Sequence, residues 1–340
     1  MKQRIEWVDI LKGLTIILVV IVHGTIGIQD SKAGSYLLYP QIISTIRNII
    51  HSFDMPLFFI VAGAFVGHWG DLPIKKAFEK KAWRLGYPYF FWGGITACAM
   101  EFASGSINGK LGFHNYLNSW YIPFSEYWFL YIMFFMFVLY YIYNSLHFPA
   151  YLHTKLFLSL SLLAFIVNPY IPNVWISRLM FSFWIYFAIG IYIASINLHY
   201  KINGNGTHLL GSLIVFLIIE FIYLWQLAGN PHSKNVYYLF FCTSVSGTYF
   251  VANLAALISR SKGLIRLYLD FCGKYSMQIY CTHIFFLAGM RMILLKTSLF
   301  NYPAIILIVC ILTALVATAV FINISQKYKA LDTLCFGKKV

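Results

Sequence analysis

From Tyr302 to Ile324 no residue of the chain carries a charge. A helix of about 23 residues is roughly 35 Å long, enough to cross the ~30 Å hydrocarbon core of a bilayer. Nine further apolar runs follow the same pattern, at approximately 10–28, 46–66, 86–103, 127–146, 156–171, 179–196, 209–228, 236–258 and 275–295. Only 11% of the 340 residues are charged and 60% are hydrophobic. A soluble domain carries roughly 25% charged residues and needs most of them outside. The expected fold is therefore all-α: a polytopic transmembrane helix bundle of about 10 spans. A soluble enzyme, a disordered chain and a disulfide-stapled secreted domain are excluded. The connections are too short for a separate soluble domain, so residues 1–340 read as one integral membrane domain. The run 156–171 is the weakest span. No small-residue cleavage site follows the first run, so it is expected to stay as a span.

The net charge is +14, from 25 Lys+Arg against 11 Asp+Glu. Cytoplasmic loops collect Lys and Arg. With the N-terminus inside, 18 of these cations fall on the cytoplasmic side, five of them in 67–85 (Lys75, Lys76, Lys80, Lys81 and Arg84). Seven fall outside: Lys32, Arg47, Lys110, Arg178, Lys234, Arg291 and Lys296. The expected topology is N-in and C-in. The six cysteines form no metal-spaced pair and read as small buried hydrophobes.

Charged or titratable groups inside a span are costly and mark function by default. The first run holds Asp9, Lys12 and His23. At 100° per residue, Lys12 to His23 is about three turns plus 20°, so the three share one helix face. His23 lies about 16 Å beyond Lys12. The second run carries His51 and Asp54, an i, i+3 pair, followed by Pro56. The ninth aligns Ser276, Tyr280 and His283 on one face. Glu220 stands in the middle of the seventh run with little context. Each group also has a bland reading, as interfacial anchor or polar contact between helices. The basic segment 67–85 reads either as orientation charge or as a phosphate site.

Together these pieces resemble the integral membrane acyltransferase 3 family, in particular its fucose 4-O-acetylase-like branch. The residues that carry the resemblance are Asp9-x-x-Lys12-Gly13 followed by His23, the run Phe53-Asp54-Met55-Pro56-Leu57-Phe58-Phe59 with Gly63, Lys81-x-x-Arg84 before Pro88, Trp128-Phe129-Leu130, and Ser276-x-x-x-Tyr280-x-x-His283. Lys12 stands where many members have Arg, and Asp54 where many have His. The resemblance implies O-acylation. An acetyl or similar short acyl group would pass from cytoplasmic acyl-CoA to a hydroxyl of a cell-surface or lipid-linked polysaccharide, in exopolysaccharide biosynthesis at the bacterial inner membrane. It implies His23 as general base or acyl carrier, with Lys12, Asp9 and His283 in the catalytic group. Lys81 and Arg84 would hold CoA. His51, Asp54, Glu126, Trp128, Ser276 and Tyr280 would meet the acceptor. Acetyl-CoA enters as co-substrate, with no permanently bound cofactor, no metal and no nucleic acid. Two other readings are a transporter or flippase for lipid-linked sugar and a non-catalytic subunit of a polysaccharide synthase. Neither needs acetyl-CoA.

The charge asymmetry gives a direct test of topology. On a cysteine-free background, an impermeant thiol reagent on intact cells is expected to label a cysteine at position 115 and to spare one at position 76. The opposite pattern inverts the assignment.

Overall fold

A computed structural model describes residues 5–67, 72–102, 112–172, 175–198, 202 and 204–337. Lys2, Arg4, Lys110, Lys201, Lys338 and Lys339 of the charge count, and the first part of the connection 104–126, lie outside these residues. Among the described residues every regular element is helical and there is no strand. This is the expected outcome where no water can satisfy backbone groups, because a helix closes its hydrogen bonds within itself.

Among the described residues eight helices are long and apolar enough to cross a membrane, and the chain is a multi-pass membrane protein. They are α1 (Glu6–Gln29), α7 (Trp128–Asn144, extended at its start by a 3-10 turn from Ser125), α8 (Ala150–Val167), α9 (Trp175–Ser195), α10 (Gly206–Gly229), α11 (Lys234–Ser259), α13 (Ser276–Leu294) and α14 (Pro303–Lys327). The remaining elements are shorter. They are α2 (Pro40–His51), α3 (Asp54–Ala64), α4 (Ile74–Lys81), α5 (Tyr87–Phe102), α6 (Phe113–Leu117), α12 (Leu264–Lys274) and α15 (Lys329–Phe336). Local chemistry sets several starts. Asn205 and Ser233 accept hydrogen bonds from the amides of Thr207 and Asn235 at the heads of α10 and α11. Pro40 and Pro303 open α2 and α14, where a missing N–H costs nothing.

Two of the ten apolar runs look different in the structure. The run 46–66 breaks at Ser52 and Phe53 into α2 and α3, neither long enough to cross alone. The run 86–103 becomes the 16-residue α5, continuous through a π turn at Ala82–Gly86 with the basic helix α4. The charged connection before the ninth run contains a helix of its own, α12.

The contacts divide the chain into two compact units. The first comprises residues 1–57 and 202–327. Its centre is α1, which packs against α2, α11, α12, α13 and α14, while α10 pairs with α11 and α13 with α14. Its closest crossing is α1 on α12. A methyl group on Gly13 would lie 2.0 Å from the Leu269 carbonyl oxygen, and one on Gly273 would lie 1.7 Å from the Asp9 carbonyl oxygen. Reciprocal glycines let the two backbones touch, the usual device where helices associate without a hydrophobic drive.

The second unit comprises residues 58–201 and 328–340. In it α9 packs on α8 and α7, while α4 and the π turn pack on α7. α15 lies along α5, where Trp92 Nε1 donates to the Cys335 carbonyl at 2.8 Å and Tyr87 Oη to that of Leu334 at 2.7 Å. Gly63 and Gly190 bring α3 and α9 together in the same way as the pair in the first unit.

Because backbone faces backbone at the α1–α12 crossing, Gly13→Leu and Gly273→Val are each expected to destabilise the protein beyond the roughly 1–3 kcal/mol of ordinary overpacking. Thermal melting in detergent measures this. A melting curve unchanged by either substitution would show that the crossing does not hold the unit together.

Candidate functional site

α1 and α13 present a pair of histidines to each other. Asp9 lies one turn from the start of α1 and is buried, and its Oδ1 binds the Lys12 ammonium at 2.8 Å. Three turns further along the same face stands His23, part-buried, 3.3 Å from His283 on α13 and with ring centroids 5.0 Å apart. His283 is fully buried, at 0% exposure.

The hydrogen bonds around the pair fix its protons. His283 Nδ1 lies 3.0 Å from the Ile279 carbonyl oxygen and 2.8 Å from that of Tyr280. Carbonyl oxygens only accept, so Nδ1 carries the hydrogen and Nε2 of the neutral ring is an acceptor. That Nε2 faces His23 Nδ1, which also lies 3.0 Å from the Val19 carbonyl oxygen. Both neighbours of His23 Nδ1 accept, so it too carries the hydrogen. The basic lone pair of His23 is thereby placed on Nε2. A proton taken there leaves an imidazolium whose Nδ1–H is directed at a ring nitrogen, and that hydrogen bond strengthens as the charge appears. Chemically, an imidazole placed in this way has the form of a base with an orienting partner, an arrangement that can activate a weak nucleophile.

Of the other residues singled out in the sequence, Tyr280 is buried with its ring 6.1 Å from that of His283, and Ser276 opens α13 in a half-buried position. His51 Nδ1 and Asp54 Oδ2 pair at 3.1 Å, with Asp54 fully buried and its Oδ1 accepting from the Met55 amide. All of these belong to the first unit. In the second unit, Arg84 is exposed beside exposed Lys75 and Lys76, whereas Lys81 is 5% exposed with its ammonium nitrogen 3.1 Å from the centre of the Phe137 ring. Burial, and after it the charge of Arg84, push the Lys81 pKa down to about 6. Lys81 thus packs on an aromatic ring, and Arg84 is the exposed cation of the two. Glu126 is hydrogen-bonded by Ser125 where the chain enters α7, and the Trp128 ring packs on Phe183 at 5.2 Å.

The structure also explains Glu220. Its Oε2 accepts from Ser52 Oγ at 3.0 Å, at the break between α2 and α3. Ser244 Oγ on α11 donates to the Ser52 carbonyl at 2.5 Å, and Gly247 leaves room for Phe53, whose ring meets that of Phe216 edge-on. The break is therefore held from α10 and α11, and it sets the spacing of the His51–Asp54 pair. No local pattern joins Ser52 to Glu220, which is 168 residues away.

The family model described as an acyltransferase domain, acyltransferase 3, matches residues 5–322. The chain belongs to the acyltransferase 3 family. This membrane acyltransferase matches no curated relative and no solved structure. Its family domain extends over nearly all of the described helices, and both histidines of the pair lie within it.

Because Glu220 is almost completely buried, Glu220→Ala is expected to cost this acyltransferase about 1–3 kcal/mol, the range for a lost buried hydrogen bond. Glu220→Gln keeps an oxygen for Ser52 and should cost less. Melting temperatures of the two variants in detergent decide this, and equal losses would mean that the Ser52 contact does not hold the break.

Proposed function

We propose that the protein is an acyl-CoA-dependent O-acyltransferase of a bacterial cell membrane. It moves an acetyl or similar short acyl group to a hydroxyl of a cell-surface or lipid-linked polysaccharide. The observation that carries this reading is the His23–His283 pair. A sugar hydroxyl is a poor nucleophile and needs a positioned base as it attacks a thioester. With its lone pair on Nε2 and its Nδ1–H held by two acceptors, His23 supplies that base.

In the proposed reaction the acceptor hydroxyl oxygen attacks the thioester carbonyl carbon while its proton passes to His23 Nε2. The tetrahedral intermediate collapses, the C–S bond breaks, and the sulfur takes the proton back from His23. The products are the ester and free CoA. The same Nε2 could be acylated first, with the hydroxyl attacking the acyl-imidazole in a second step. Either route makes His23 cationic, and in both its Nδ1–H has a ready-made acceptor.

Arg84, with Lys75 and Lys76, offers an exposed cationic surface suited to the phosphates of CoA. The proposed topology puts these residues on the cytoplasmic side, where acyl-CoA is confined. Lys12, held by Asp9, would steer the donor. His51, Asp54, Ser276, Tyr280, Glu126 and Trp128 remain the proposed acceptor contacts. Family membership favours this reading over a transporter or a synthase subunit.

The test is transfer of radiolabelled acetyl from acetyl-CoA to membrane glycan. Loss of a general base typically costs about 10²–10⁴ in rate, so His23→Ala is expected to fall below a hundredth of wild type at equal expression. His283→Ala should fall less far, because the base remains but loses its orientation. Retention of more than about a tenth of wild-type transfer by His23→Ala would remove His23 from the role of base.

A further inference from the structure

One cation near the end of a span has no part in the scheme above. Arg291 lies on α13, eight residues beyond His283, or about 12 Å along the helix. Side chains on a helix lean toward its N-terminus, and the long Arg291 side chain does so. Its guanidinium rests against Gly27 of α1, so closely that a methyl group there would lie 1.7 Å from Nη1. Gly27 is one turn beyond His23, about 6 Å along α1. His23 meets His283 and Gly27 meets Arg291, so α1 and α13 run side by side in the same direction. The guanidinium is thus one turn past the histidine pair.

Asp30 and Cys310 are the ionisable neighbours of Arg291. Among the described residues no hydrogen bond or ion pair holds its side chain. An arginine in a span without such a partner marks function by default. The spacing says which. A reacting carbonyl carbon lies about 3 Å from the attacking or base atom, and its oxygen about 3 Å from the donors that stabilise it. The rise of about 6 Å along α1 from His23 to the guanidinium level matches the sum of those two distances.

We propose that Arg291 is the oxyanion-binding residue of this acyltransferase, its guanidinium seated against Gly27 where a side chain is missing. The inference rests on the proposed transfer. As the hydroxyl attacks and its proton moves to His23, the thioester carbonyl oxygen gains negative charge and accepts hydrogen bonds from the guanidinium. When the C–S bond breaks the carbonyl re-forms and the guanidinium is released unchanged. Gly27 then has a specific role: any side chain there displaces the guanidinium.

The experiment is a double-mutant cycle with full-length protein in detergent, measuring kcat and the KM for acetyl-CoA. Loss of an oxyanion donor costs about 10²–10³ in kcat. Arg291→Ala is expected to show that loss with KM little changed. Gly27→Ala should lower kcat in the wild-type background and cost nothing more in the Arg291→Ala background, because its target is already gone. Where Arg291→Ala yields no folded protein, Gly27→Ala with Arg291→Lys carries the test, both lowering kcat and sparing KM. Full kcat in Arg291→Ala overturns the proposal. So does an additive cycle, or an effect confined to the KM of donor or acceptor. If His23→Ala still abolishes transfer in any of those cases, only the role of Arg291 falls. If His23→Ala is also active, the transfer scheme itself falls.

Discussion

The contact on which the first unit depends is backbone against backbone. In a bilayer, helices gain little by hiding apolar side chains from lipid, so close packing and hydrogen bonds must hold them. Gly13 on α1 and Gly273 on α12 remove the side chains that would keep these helices apart, and each glycine faces a carbonyl of the other helix. The consequence reaches the candidate site. Gly273 ends α12 almost where α13 begins, with only Lys274 and Tyr275 between it and Ser276. Fixing α12 on Asp9 therefore fixes the start of α13, and His283 follows two turns later beside His23.

Polar groups in the first unit follow the same economy. Thr15 and Thr25 return their hydroxyls to carbonyls of their own helix, at 2.8 and 2.7 Å. Asp9 neutralises Lys12 and Asp54 meets His51. Glu220 is bound to a serine at a helix break. Each of these partners is local or structural. Arg291 differs because its guanidinium rests against a glycine, with Asp30 near enough to be felt but, among the described residues, no hydrogen bond or ion pair holding its side chain. That difference, more than its position, separates a cation placed to meet a ligand from one placed to hold a fold.

Much of this was legible in the chain. The 100° arithmetic put Asp9, Lys12 and His23 on one face of α1, and the i, i+3 spacing joined His51 to Asp54, because both relations live within a few turns of one helix. Apolar runs located the long helices for the same reason. What escaped the reading depends on contacts between distant segments. The break at Ser52 and Phe53 hides inside a continuous apolar run and is made by residues on α10 and α11. α12 carries Arg266, Asp270 and Lys274 and so looked like a charged connection, although its other face seats α1. Lys81 shares a motif with Arg84, yet the π turn that begins at Ala82 breaks the common face of an i, i+3 pair, and only Arg84 is exposed. The contact between His23 and His283 was not legible because 260 residues separate them, whereas the fold makes them one pair.

The choice of a second histidine as the partner of the first has a physical reason in this setting. A buried carboxylate could orient His23 as well, but it would bring a permanent charge into a low-dielectric span, at a cost of several kcal/mol unless neutralised. A neutral imidazole brings none. Its Nδ1–H is satisfied within α13 by the Ile279 and Tyr280 carbonyls, and that bond keeps Nε2 an acceptor facing His23. The two rings share one hydrogen bond, and the rest of their Nδ1 contacts go to carbonyls of their own helices. Charge appears only when His23 takes up a proton, at the moment the hydrogen bond to His283 can strengthen in response. In the proposed transfer such an arrangement concentrates stabilisation on the protonated state of His23, and a histidine partner adds no permanent charge to the span.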